Sequence, residues 1–377
     1  MIIRTVHLKN FRNFSDKTFQ FKSRLNVIYG LNGQGKTNLL ESLSFLCLTK
    51  SFRTKADADL IRHGEDGFSL SAQVELDSGI EKKIAISYSR DSGKKILIDE
   101  NRIPSALDFI GLFPIVVLAP EDDEITTGPP EERRRFINLI LSQLDKQYLF
   151  ALRDYVRVVR QRNKILQMAQ NSRYRFSEKI EPWNLEYFQK GLEITQKRKE
   201  FLDQLKERVK PIHRKISAGL EEFDLRYEPS FREEWSSFEE FRTYLDEIVN
   251  QEIMRGTTLC GPHRDEVRFF VNGNELRRFG SRGQHRTVLL SLKIGEYLFL
   301  KEKHQEIPVF LLDDVYSEID EVREKALNEY FQELKQIFLT THGEDVKLKI
   351  TGEIGKEIQY IYISSQDVHS GTELLKN

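Results

Sequence analysis

The chain holds 377 residues, 31% of them charged, and its acids and bases nearly cancel to a formal net charge of −1. That length suggests roughly two or three domains, each able to bury a core. The charge balance excludes indiscriminate nucleic-acid binding by the whole surface, though not by a local patch. No apolar run approaches the roughly 18 residues that span a bilayer, and Met1 to Leu8 alternates like a strand without the apolar core of a signal peptide. Cys47 and Cys260 make neither a disulfide framework nor a metal-ligand spacing, so a cytoplasmic protein is expected.

The first strong element is Leu25-Asn26-Val27-Ile28-Tyr29, a short buried strand ending at a glycine. It runs into Gly30-Leu31-Asn32-Gly33-Gln34-Gly35-Lys36-Thr37, a complete G-x-x-x-x-G-K-[ST] phosphate-binding loop. Leu39, Leu40, Leu43 and Leu46 follow at helical spacing. Glycines let the backbone fold into an anion-holding nest, and the new helix offers its unpaired N–H groups and positive dipole end to phosphates. Lys36 is expected to bridge the outer phosphates of ATP and the Thr37 hydroxyl to hold Mg2+. Downstream, Leu70 to Tyr88 reads as a hairpin turning at Asp77-Ser78-Gly79, and a second hairpin falls around Asp99-Glu100-Asn101. Phe113 to Ala119 is an apolar run suited to a buried strand.

Composition shifts at Pro120-Glu121-Asp122-Asp123, and Gly128-Pro129-Pro130 is turn punctuation. From Glu131 to about Met254 the pattern is helical, with Pro182 and Trp183 marking a break between two long helices of an antiparallel hairpin. Residues 133–179 carry twelve Lys or Arg against three acids, a net +9 in a balanced chain. Within them Arg153, Arg157, Arg160 and Lys164 stack along one helix face, beside a separate apolar stripe of Leu149, Leu152, Val156, Val159 and Leu166. Such a row would neutralise DNA phosphates without reading bases. Two other readings stand beside it: a solvated face, or arginines paired with the acids Glu186, Glu193, Glu200, Asp203 and Glu207 of the next helix. Arg133 to Arg135 could equally anchor the arm, and Gly261-Pro262-His263-Arg264-Asp265 invites the same structural reading.

After Gly256 the chain returns to α/β character, with a hairpin at Asn272-Gly273-Asn274 and strands at Val309 to Leu312, Ile337 to Thr341 and Ile358 to Ile363. Pro308-Val309-Phe310-Leu311-Leu312-Asp313-Asp314 is an apolar strand ending in acid, which sets a carboxylate beside magnesium. Asp313 is the expected metal-side acid and Asp314 the group that orients attacking water. Phe279-Gly280-Ser281-Arg282-Gly283-Gln284 opens a helix, another anion site, 32 residues before Asp313. That is the order and approximate spacing of an ABC signature motif, in which Ser281, Gly283 and Gln284 would cap the γ-phosphate of ATP held by a second subunit. Ser317-Glu318-Ile319-Asp320 resembles the D-loop at such an interface. His342 sits where the switch histidine of these ATPases lies, although a lone histidine after a strand is commonly structural. The fold expected is α/β: an ABC-type P-loop ATPase head, a mixed sheet with β-hairpins, split into residues 1–119 and 257–377 by an inserted α-helical arm of residues 120–256.

Several segments together resemble the RecF family of bacterial recombination-mediator ATPases, and the resemblance covers the whole chain. They are Leu8 to Phe14, the phosphate loop continuing into Asn38-Leu39-Leu40-Glu41, and Ser281 to Gln284. Asp313 to Asp320, Pro120-Glu121-Asp122 running to Gly128 through Phe136, and Gly261 to Asp265 complete the set. This family is related to the SMC-type repair ATPases but lacks their long coiled coil, and no long heptad run is present here. Asp-Asp at 313 and 314 agrees with its pattern, although ABC-type ATPases more widely carry Asp-Glu; Ile319, commonly leucine in the family, is a minor departure. The resemblance implies an ATP-dependent homodimer, binding to double-stranded or junction DNA, slow DNA-stimulated hydrolysis, and work with RecO and RecR to load RecA at gaps. Competing readings are a small-molecule P-loop kinase, or a DNA-binding protein whose ATPase is vestigial and whose nucleotide serves as glue.

Overall fold

The computed structural model describes residues 1–22, 24–172, 176–231, 235, 237–314, 320–342 and 357–364. Its strands, in chain order, are β1 (Ile2–Phe11), β2 (Phe14–Gln20), β3 (Leu25–Gly30), β4 (Gly67–Glu75), β5 (Glu81–Ser89), β6 (Gly93–Ile98) and β7 (Asn101–Ile103). They continue with β8 (Ile115–Leu118), β9 (Phe223–Glu228), β10 (Glu266–Val271), β11 (Asn274–Glu275), β12 (Val309–Leu312), β13 (Gln336–His342) and β14 (Ile358–Tyr362). The chain gathers into two compact units. One comprises Met1–Asp123, Arg208–Glu222 and Ser281–Asn377; the other comprises Glu124–Glu207 and Phe223–Gly280.

The first unit is built on a five-stranded sheet of order β14-β3-β13-β12-β8, parallel at every pairing. Strands β8, β12 and β13 read as continuous apolar runs because both faces are covered. Val309 to Leu312, Ile115 to Leu118 and Ile337 to Leu339 are accordingly all buried. The expected hairpins form an antiparallel sheet of their own, of order β2-β1-β4-β5-β6-β7. Glu75 pairs with Glu81 across the turn at Gly79, and Ile98 pairs with Asn101 across Asp99 and Glu100. Asp99 and Glu100 have φ of 49° and 68°, the two left-handed residues of a type I′ turn that matches strand twist.

The second unit contains helices Pro130–Leu144, Lys146–Asn171 and Phe238–Arg255, most of helix Phe176–Ile216, and a three-stranded sheet of order β11-β10-β9. The last turns of Phe176–Ile216, from Arg208, belong to the first unit. Asp145 caps Lys146–Asn171 by accepting from the amides of Gln147 and Tyr148, and Ser237 with Glu240 forms a capping box on Phe238–Arg255. The second unit reaches Gly280 rather than ending near 256, because β10 pairs antiparallel with β9 and carries β11 with it.

The helix break expected at Pro182 and Trp183 lies elsewhere. Both residues sit inside Phe176–Ile216, and the preceding helix ends at Ser172, whose backbone is extended. A proline deletes one ladder bond. Ile180, Asn184 and Tyr187, all buried on the same stretch, hold the helix together by packing. The apolar stripe of Lys146–Asn171 also differs from expectation. Its buried face runs through Tyr148, Ala151, Tyr155, Val158, Arg162, Leu166 and Ala169, with Leu149 alongside, whereas Val156 is 47% exposed.

Gly261 to Asp265 is the hub of this unit. At φ +113° Gly261 passes so close to Tyr155 and Tyr187 that a Cβ would lie 2.3 Å from the Tyr155 hydroxyl. Asp265 is fully buried; its Oδ2 accepts from Arg198 Nη1 at 2.7 Å and from the Tyr227 hydroxyl, and its Oδ1 accepts from the Ser230 amide. These contacts give the segment a packing role inside the second unit.

Candidate functional site

The phosphate loop leaves the C-terminal end of β3 and enters helix Lys36–Leu48. Gly30, Gly33 and Gly35 have φ of 146°, 78° and 108°, backbone that L side chains rarely adopt. Space enforces the same choice at two of them. A Cβ on Gly30 would meet the Ile363 carbonyl oxygen at 2.5 Å, and one on Gly35 the Asn13 side-chain nitrogen at 2.7 Å. Lys36 is 7% exposed, and its Nζ donates to the carbonyls of Gly30 and Leu31 at 2.8 and 3.0 Å. Burial lowers its pKa, against the opposing pull of the Asp314 and Asp313 carboxylates.

Parallel pairing of β3, β13, β12 and β8 brings their C-terminal ends level, the ordinary location of a ligand site in an open α/β sheet. Asp313 follows β12 there and is 4% exposed. Its Oδ1 accepts from the Thr37 hydroxyl at 3.1 Å and from the Thr340 hydroxyl at 2.6 Å. Thr340 Oγ1 in turn accepts from the Asp314 amide at 2.9 Å. Burial raises the Asp313 pKa, and the two threonine bonds hold it down. Lys36, Thr37, Asp313 and Asp314 are therefore brought together. Among the described residues no three His, Cys, Asp or Glu gather as a metal cage. Asp313 with Thr37 fits the other pattern, in which magnesium takes one or two protein oxygens and completes its octahedron with phosphate oxygens and water.

Sequence reasoning assigned no role to several groups around this core. Thr340 is one, and Asn13 is another: its Nδ2 donates to the Gln34 carbonyl at 3.1 Å, bracing the loop from the β1–β2 turn. Asn13 Oδ1 accepts from Asn38, whose own Oδ1 accepts from Arg53 Nη1 at 3.0 Å. Arg12 donates from Nε and Nη2, one edge of its guanidinium, to the two carboxylate oxygens of the fully buried Glu41, at 2.8 and 2.7 Å. Arg53 also lies 3.6 Å from Glu121, which follows β8 and whose pKa is raised by burial, with Asp313 adding to the rise. Asn13 and Arg12 stood in a segment read only for family resemblance, and Glu121 in one read for that and as a shift of composition; the visible signal was their polarity beside apolar strands.

Ser281 caps helix Arg282–Lys303 through a capping box. Its hydroxyl accepts from the Gln284 amide at 3.2 Å, and the Gln284 side chain accepts from the Ser281 amide at 3.0 Å. Ser281 is exposed, and the Gly283 carbonyl accepts from Arg323 Nη2 at 3.3 Å. His342 ends β13, its backbone level with Gly30. Its side chain, Ser317 to Ile319 of the D-loop segment and the intervening residues 315 and 316 lie outside the described residues, while Asp320 caps helix Glu321–Phe331.

The basic row divides. Arg157 pairs with Glu186 at 2.7 Å and Arg153 with its neighbour Asp154 at 2.9 Å, while Arg160 and Lys164 are exposed. Other cations of the segment are structural: Arg162, 1% exposed, pairs with Glu252 at 2.8 Å, and Arg133 with Glu266 at 2.9 Å.

The parallel sheet, the loop at its switch point and the acid-tipped β12 define an ABC-type ATPase head. A model of the RecF/RecN/SMC N terminal domain family matches residues 2–361. The chain is 37% identical over 374 residues to the DNA replication and repair protein RecF of Bacillus thuringiensis (strain Al Hakam), and equally to that of Bacillus cereus (strain B4264), with 98% of each chain covered. A solved structure of the recombination mediator protein RecF-ATPrS in the RecFOR pathway aligns with TM-score 0.86 and 29% identity over 96% of both chains. The RecF-ATP structure of that pathway aligns at 0.85 and 30% over 92% of this chain and 93% of the other. An Smc head domain from Pyrococcus furiosus, at TM-score 0.52 and 15% identity, shares the fold. The chain belongs to the RecF family.

Proposed function

We propose that this chain is an ATP-dependent DNA-binding protein of recombinational repair and replication restart, acting in the cytoplasm on duplex or junction DNA. The observation that carries the reading is the Thr37–Asp313–Thr340–Asp314 chain of hydrogen bonds at the end of the phosphate loop. Lys36 and the amides of residues 33 to 37 hold the phosphates of ATP, and Thr37 and Asp313 hold Mg2+. When bound there, the ion neutralises charge on the transferring phosphoryl group. Asp314 positions the attacking water, and His342 would sense the terminal phosphate. Ser281, Gly283 and Gln284, on an exposed helix start, complete the site of a second copy, so that ATP joins two chains of an inserted-arm ATPase head and slow, DNA-stimulated hydrolysis releases them. Arg160 and Lys164, with weaker help from Arg153 and Arg157, supply phosphate contacts to DNA. The solved RecF relatives are of the RecFOR pathway, which supports RecR and RecO as partners in loading RecA.

Sedimentation and DNA binding on one preparation, with and without ATP, test this. The expected result is a monomer that dimerises with ATP and retains DNA only then, with a turnover per chain that rises with chain concentration. Turnover that stays flat across a wide concentration range would instead favour a self-contained phosphotransferase site.

A further inference from the structure

Three consecutive acids after β8 point in three directions. Glu121 faces Arg53, which is bonded to Asn38 on the phosphate-loop helix. Asp122 Oδ1 lies 3.1 Å from Lys293 Nζ, and Asp123 Oδ1 lies 3.2 Å from Arg286 Nη1. Lys293 and Arg286 are two turns apart on helix Arg282–Lys303, the helix that Ser281 caps. The turn is closed on itself as well: Asp122 Oδ2 accepts from the Ala119 amide at 2.9 Å, and the Asp122 amide donates back to the Ala119 carbonyl. Its base is fixed to the site, because the Asp313 amide donates to the Leu118 carbonyl at 2.8 Å.

The Lys293 contact is buried. Lys293 is 3% exposed and lies 3.5 Å from Glu296, itself 1% exposed. Taking such charges out of water is expensive, and a well-packed apolar set is commonly as stable or more so. What the ionic set adds is geometry: it fixes the helix to one short turn in one register. That turn carries, on the residue just before Asp122, the acid paired with Arg53.

We propose that Lys293 is a positioning residue that couples nucleotide occupancy to the signature helix. Phosphate arriving at the loop competes with Glu121 for Arg53. The 120–123 turn relaxes when that pair loosens, and Asp122–Lys293 and Asp123–Arg286 carry the displacement to the helix whose first turn presents Ser281 and Gln284. Without the link, a chain binds ATP and still fails to present its signature to a second copy. The inference rests on the two-copy site proposed above.

The test compares the full-length wild type with Lys293→Arg, the paired replacement Lys293→Met/Glu296→Met, and Asp122→Asn. The paired change avoids stranding a buried carboxylate, and a thermal melt confirms that each variant is folded. The expected result is ATP affinity within about twofold of wild type but ATP-dependent dimerisation weakened about tenfold, the middle of the usual range for coupling between sites. KM for ATP should hold while turnover at fixed chain concentration falls, and Lys293→Arg should retain most of the dimerisation. If the folded Met/Met and Asp122→Asn chains dimerise with ATP as the wild type does, the coupling role is wrong. If the wild type itself never dimerises, the two-copy reading fails first and this inference falls with it.

Discussion

Asp314 has φ of +51°, the left-handed region that costs most side chains roughly 1–2 kcal/mol and that Asp and Asn tolerate best. This gives a physical reason for a second aspartate where ABC-type ATPases more widely carry glutamate: the turn after β12 favours the shorter acid. It also makes a clean experiment available. Asp314→Asn keeps the backbone preference and should leave the melting temperature and ATP affinity unchanged, while hydrolysis falls by about a hundredfold or more, the usual size of a missing acid–base or water-orienting group. ATP-dependent DNA residence should lengthen in proportion. Unchanged turnover and residence in that variant would remove Asp314 from the chemistry. Lys36, Thr37 and Asp313 were legible in the sequence because a glycine-rich loop and an acid-tipped apolar strand each have a local signature. Thr340 was not, since its role arises from parallel pairing that sets β13 beside β12. A threonine at a strand end carries no mark of the carboxylate it will bond.

At the scale of elements, the basic helix Lys146–Asn171 shows what periodicity reveals and what it hides. The spacing of Arg153, Arg157, Arg160 and Lys164 correctly predicts one exposed face, and all four are exposed. Counting only Leu and Val misplaced the buried face, because Tyr148, Ala151, Tyr155 and the paired Arg162 form much of it. Likewise Pro182 looked like a terminator, yet packing around Ile180 and Tyr187 carries the helix through it. The hairpins, by contrast, were readable from turn chemistry at Gly79 and at Asp99 and Glu100. The pairings refine the DNA prediction. Arg157 must leave Glu186 before it can contact a phosphate, whereas Arg160 and Lys164 are exposed with no ion pair among the described residues. Replacing Arg160 and Lys164 together by Gln should lower DNA affinity and flatten the salt dependence by about 0.9 logarithmic units for each phosphate the protein no longer neutralises. Arg157→Gln should change it less. A slope untouched by the double replacement would move the DNA surface off this helix.

Acid stability and assembly rest on different residues of the chain. His263 is held neutral: its Nδ1 lies 2.6 Å from the Tyr155 hydroxyl, its Nε2 faces the Thr258 carbonyl at 3.3 Å, and burial pushes its pKa down from 6.5 to about 4. The unfolded imidazole takes up a proton below 6.5 and the folded one only near 4. Its contribution is therefore complete above pH 6.5 and is lost as pH falls toward 4, at most about 3 kcal/mol. Melting temperature should drop between pH 7 and 5, and less steeply in His263→Gln; equal slopes would assign acid sensitivity to other groups. In the two-copy reading proposed above, assembly depends on Ser281. The same hydroxyl caps its own helix and, in the proposed dimer, faces the terminal phosphate of the second copy. An ordinary truncation would confound the two, since removing a cap costs roughly 0.5–2 kcal/mol. Ser281→Asp separates them. Aspartate caps as well as serine, so the fold and ATP binding at Lys36 should be preserved. Its negative charge, however, would stand against the phosphate across the interface, where like charges oppose association strongly. The variant should bind ATP as a monomer, lose the rise of turnover with concentration, and release DNA regardless of nucleotide. A Ser281→Asp dimer that persists with ATP by light scattering would place the signature outside the interface and return the phosphate loop to a site complete within one chain.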